Sequence, residues 1–142
     1  MFSFVWPIAL VVFSNVIYHI SAKSAPEELN PLASLTVTYL IGALASGVLY
    51  FILNRGGNLL KEYEKLNWTP FVLGVVIVGL EAGFLYAYKA GWQVSKASIV
   101  QSTFLAIALI FAGRLIYGEQ LTWNKLVGAA VCLIGLAIIN FR

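Results

Sequence analysis

The chain has no aspartate, one cysteine and one histidine, and charged residues fill only 11% of its 142 positions. Each shortage removes a class of explanation. With Cys132 as the sole cysteine, no intrachain disulfide can form, and its place inside an apolar run makes it a small packing residue. One histidine and one cysteine on distant segments give no ligand cluster, so no metal is expected. No cofactor is expected, and no nucleophile–base pair suggests an enzyme. The net charge of +3 does not point to nucleic acid, because the lysines and arginines sit mostly between apolar runs, as loop residues of a membrane protein do.

What the sequence does contain is apolar length. Hydrophobic residues make up 61% of it, far above the share in soluble domains. Five apolar runs stand out, at about 2–22, 32–53, 70–91, 97–117 and 124–140. Each approaches the about 20 residues that cross a bilayer. The expected fold is therefore all-α, a polytopic membrane protein of five transmembrane helices forming a single domain over 1–142, with no room for a soluble catalytic part. The first run lacks a basic leader and carries Asn15, Tyr18 and His19, so it reads as a span and not as a signal peptide. Asn30 and Pro31 form a helix start before the second run. Between the second and third runs, Leu59, Leu60, Tyr63 and Leu66 recur at helical spacing, which suggests a short helix on the membrane surface. Trp68 and Trp123 mark interfaces.

The third run, FVLGVVIVGLEAGFLYAYKAG, holds one carboxylate, Glu81, at its middle. A bare carboxylate at that depth costs roughly 2.5 kcal/mol or more. It must face protein or water, or be protonated. Two readings follow: a site that handles protons or cations, or a neutral hydrogen-bonded tie between helices. Gly79 and Gly83 flank it at the spacing that lets helix backbones approach closely. Gly42 with Ser46, Ala43 with Gly47, and Gly128, Cys132 and Gly135 form further small-residue stripes.

An odd number of spans puts the termini on opposite sides. Arg55, Lys61, Lys65, Arg114 and Lys125 then fall on one side, and Lys23, Lys89, Lys96 and Arg142 on the other. Five against four is almost no positive-inside bias. Either other factors fix one orientation, or copies insert both ways up and pair as an inverted repeat with a site at the midplane.

Several segments carry a family resemblance: SNVIYHISAKS followed by NPLASL, then GLEAGFLYAYKAGW, then the GEQLTW turn before LVGAAVCLIGLAI. Together they resemble one repeat of the EamA-like branch of the drug/metabolite transporter superfamily, across essentially the whole chain. Typical members have ten helices in two halves of opposite topology. The resemblance implies that this chain is one half, and that a working transporter pairs two chains antiparallel, as the four-helix multidrug exporters of the superfamily do. It also implies an integral, multi-pass protein of a bacterial or archaeal cell membrane. Those exporters carry their essential glutamate in the first helix. Here the first run has none, so Glu81 does not inherit that role by position.

Alternating helices bring the ends of the first and third spans and the start of the fourth to one side. The candidate site there comprises Glu81, Asn15, Tyr18, His19, Tyr88, Trp92 and Gln101, with Lys89 as a further possibility. Aromatic walls over a carboxylate suit a small organic cation; the same groups suit a zwitterionic metabolite. Plainer roles compete. His19 is a proton relay or an interhelical hydrogen bond, and Asn15 a substrate contact or helix glue. Tyr86, Tyr88 and Trp92 also fit an aromatic belt. Lys89 lies roughly 12 Å along the axis from Glu81 and either meets a substrate carboxylate or extends to the interface. Glu119 caps or pairs in the turn near Arg114. The expected function is a secondary transporter, a proton-coupled exporter working by alternating access as an antiparallel homodimer. The alternative is a non-transporting or heteromeric membrane subunit that needs a partner chain of opposite topology.

Overall fold

The computed structural model describes residues 2–140, and every regular element among them is helical. Arg142, counted above among the charges of one side, lies outside the described residues. The elements are α1 (Phe2–Lys23), α2 (Pro31–Leu53), α3 (Leu59–Tyr63), α4 (Thr69–Lys89), α5 (Val94–Tyr117) and α6 (Trp123–Asn140). Local chemistry sets most of these bounds. Asn30 Oδ1 accepts the Leu32 N–H at 2.9 Å, and Pro31 fills the first helical position of α2, where a missing N–H costs nothing. Asn58 caps α3 through the N–H groups of Leu60 and Lys61. Gly91 turns the chain after α4 at φ +94°, and Gly118 ends α5 at φ +66°, conformations in which a side chain is strained. α5 begins three residues before the expected 97, because Lys96 does not break the helix: its long stem suits a first turn near an interface.

Four helices are long and apolar enough to cross a membrane: Val5–Lys23 of α1, then α2, α4 and α5. The expected fifth crossing is shorter. Its apolar stretch is Trp123–Ile139, which at 1.5 Å per residue spans about 25 Å against a hydrocarbon core of about 30 Å. The surface helix between the second and third runs is present as α3, a single turn and a half with Leu60 and Tyr63 exposed.

The chain divides into two compact units, Met1–Ala90 and Gly91–Arg142. In the first, α4 packs against both α1 and α2. Leu35 on α2 and Leu85 and Tyr88 on α4 are its buried residues of size. In the second, α5 packs against α6. Lys125 Nζ pairs with Glu119 Oε2 at 3.0 Å across the turn between them. Glu119 therefore finds its ion partner in Lys125; the pair is exposed and contributes little stability.

The long helices bury few of their own residues: no more than 11% of those in the most apolar part of each are buried within the chain. Leu, Ile, Val and Phe side chains point outward along all of them. Each would cost about 1.5–3 kcal/mol if left in water, so these faces meet lipid or protein. The small-residue stripes are equally bare. A Cβ added at Gly42, Gly47, Gly79, Gly83, Gly128 or Gly135 would meet nothing within 4 Å among the described residues. For Gly79 and Gly83 the reason is rotation. They stand two residues from Glu81, about 200° around the helix, so they face away from the side of α4 that α1 and α2 cover.

Candidate functional site

Glu81 is the sole carboxylate within α1, α2 and α4. It sits half-buried on the shared helix of the first unit. Two cavities meet at it. One, of about 290 Å³, lies toward the end of α1 and the start of α2 and is lined by Ser21, Ser34, Leu35, Thr38 and Leu85 among others. The second, of about 440 Å³, lies along the preceding turns of α1 and α4 and is lined by Leu10, Val11, Ser14, Asn15, Ile77 and Leu80. Tyr18 and Glu81 line both. Helical spacing explains the division: Ser14, Tyr18 and Ser21 follow one stripe of α1, and Ile77, Glu81 and Leu85 one stripe of α4. The tyrosine and the glutamate are the wall between the two spaces.

Hydroxyls gather around the acid. The buried Tyr18 and Tyr39 hydroxyls, from α1 and α2, have no hydrogen-bond partner among the described residues. Both lie within electrostatic range of the Glu81 carboxyl, and Tyr39 approaches it most directly, though short of a well-formed hydrogen bond. Three helices thus each contribute one polar group to the same spot. Thr38 Oγ1 donates to the Ser34 carbonyl at 3.2 Å, and Thr38 lines the first cavity.

The remaining expected residues divide. Asn15 joins Glu81 and Tyr18 on the second cavity. His19 and Tyr88 engage each other: the Tyr88 hydroxyl and His19 Nδ1 are 2.8 Å apart. Phe84 completes an aromatic cluster with them, its ring 4.7 Å from that of His19 and stacked at 6.0 Å on that of Tyr88. The Lys23 ammonium donates to the Tyr88 carbonyl at 3.2 Å. Lys89 donates to the carbonyls of Glu27 and Leu29 in the connection between α1 and α2. Its ammonium serves loop backbone in this structure, in keeping with the interfacial reading. Trp92 and Gln101 belong to the second unit, Trp92 in the turn before α5 and Gln101 half-buried on it.

Residue reasoning did not assign Tyr39, Ser21, Ser34, Thr38 or Phe84 to the site. A signal existed for α2, where Ser34 and Thr38 lie four residues apart, as do Leu35 and Tyr39, on one side of the helix. Which helix that side meets is not written in α2 alone.

Against this geometry the family assignment is direct. The family model of the EamA-like transporter family matches residues 3–141. The chain belongs to that family. No curated protein and no solved structure gives a significant match. Membership in the EamA-like transporter family, with four long apolar helices, makes the chain an integral, multi-pass membrane protein of transporter type. For an EamA-like chain, a half-buried acid shared by two cavities is the feature to account for.

Proposed function

We propose that the chain is one half of a secondary transporter, a proton-coupled exporter of a small organic cation or metabolite from a bacterial or archaeal cell. The observation that carries this reading is the pair Tyr18 and Glu81, which lines one cavity toward each end of α1. A carboxylate reachable from two spaces can bind a proton from one and a cation from the other. Occupancy is exclusive, because the same two oxygens serve both. Exchange follows: one proton in for each cationic charge out. The groups facing the acid are the Tyr18 hydroxyl from α1 and the Tyr39 hydroxyl from α2. Asn15, His19 and Tyr88 support the lining, and Trp92 and Gln101 join it if the two units form one transmembrane domain over 1–142. In that arrangement α6 is the fifth crossing, and a second, antiparallel copy completes the transporter.

The test is substrate binding and proteoliposome transport against pH in the wild type and in Glu81→Gln. Competition for one carboxylate predicts that lowering the pH weakens cation binding in the wild type and leaves Glu81→Gln flat and inactive. Retained transport with unchanged pH dependence in Glu81→Gln removes the coupling claim.

The bare glycine faces support assembly with another chain but not its identity. A reporter fused to the C-terminus separates the cases. Signal from both membrane sides supports the homodimer. A single orientation favours a heteromeric subunit with a partner of opposite topology.

A further inference from the structure

We infer that the ligand taken up beside Glu81 is a primary or secondary ammonium, recognised through its N–H groups, and not a quaternary cation. The inference rests on the reading of Glu81 as the transport carboxylate and narrows its substrate class. The sequence suggested aromatic walls around the acid. The first cavity has a different lining: its polar groups are the hydroxyls of Tyr18, Ser21, Ser34 and Thr38 with the Glu81 carboxyl. The aromatic faces lie elsewhere. Phe84 and Tyr88 stack on each other, and His19 packs edge-on against both. Among the described residues only Tyr18 brings a ring to the lining, so they form no several-sided aromatic cage of the kind that recognises quaternary ammonium.

The lining is rich in acceptors. An ionised carboxylate accepts and does not donate. Thr38 spends its proton on the Ser34 carbonyl. The buried Tyr18 hydroxyl, unpartnered by the described residues, has lone pairs to offer. A group with two or three N–H donors satisfies such a set; a trimethylammonium has none and would strip water from the acceptors without replacing it. A cavity of about 290 Å³ has room for about ten water-sized groups, enough for a small amine. Its apolar part would rest on Leu35 and Leu85.

Benzylamine and benzyltrimethylammonium provide the test, since both are cations of similar shape and only one carries N–H. Binding of each to the purified full-length protein is measured by calorimetry at a pH where benzylamine is charged. With about fivefold expected for each unreplaced hydrogen bond, two such bonds make benzylamine bind about 30-fold more tightly. Thr38→Val and Tyr18→Phe should each narrow that ratio by weakening benzylamine alone, and Glu81→Gln should abolish binding of both. Circular dichroism and gel-filtration profiles confirm that each variant is folded. Equal or tighter binding of the quaternary cation, lost in Glu81→Gln, overturns this inference and leaves the carboxylate site standing. Binding of either that survives Glu81→Gln overturns the site itself. No saturable benzylamine binding to the wild type also overturns the inference.

Discussion

Replacing Tyr88 by Phe removes one hydroxyl and almost nothing else. The ring keeps its stack on Phe84 and its edge contact with His19; what disappears is the 2.8 Å bond to His19 Nδ1. In a water-soluble core, orphaning a buried ring nitrogen would cost about 1–3 kcal/mol. Between membrane helices the expected figure is smaller, about 0.6 and at most about 1.7 kcal/mol, because the unfolded helices remain in lipid and find other partners there. The second estimate governs, since α1 and α4 are both long enough to span. A double-mutant cycle of Tyr88→Phe with His19→Leu, read by equilibrium unfolding in mixed micelles, should return a coupling in that range. If the bond is a structural tie, Tyr88→Phe also leaves the pH profile of transport unchanged. A coupling near zero combined with a displaced pH profile would refute this and make His19 a proton relay.

Two further outcomes follow from the same geometry. Tyr18→Ala removes half of the wall between the two cavities, so vesicles carrying it should dissipate an imposed pH gradient without substrate, faster than wild type, as followed with an entrapped pH-sensitive dye; an unchanged leak would mean that Tyr18 separates nothing. Gly79→Leu places its side chain where the described residues offer no contact, so helix content should stay constant while self-association, measured by energy transfer between labelled copies in detergent, weakens; unaltered association would remove that face from the interface.

Much of the scaffold was legible because membrane spans announce themselves through composition. The start of α2 was readable from Asn30 and Pro31, and the surface turn α3 from the spacing of Leu59, Leu60 and Tyr63. Glu81 stood out because a charge at mid-span is costly. Its closest companions were harder. Tyr18 lines both of its cavities and Asn15 the second, while His19, one residue along, turns about 100° away and pairs with Tyr88. Tyr39 went unassigned because its role depends on which side of α2 meets α4, a fact held in neither helix by itself. The glycines beside Glu81 in sequence lie on the opposite face, because two residues are about 200° around a helix. The count of crossings stayed open because α6 is a few residues short of the others.

The two lysines at one end of the first unit act in opposite directions. Lys23 reaches from α1 to the last turn of α4, while Lys89 reaches from the end of α4 back to the strand of chain that leads into α2. That end is tied by bonds to backbone oxygens beside the first cavity, and no change of substrate or proton occupancy alters those oxygens. Any breathing of α1 against α4 is therefore anchored there and grows with distance from it, like the blades of scissors from their rivet. The widest travel falls on the half of α1 that carries Leu10 and Ser14, where the larger of the two spaces already lies.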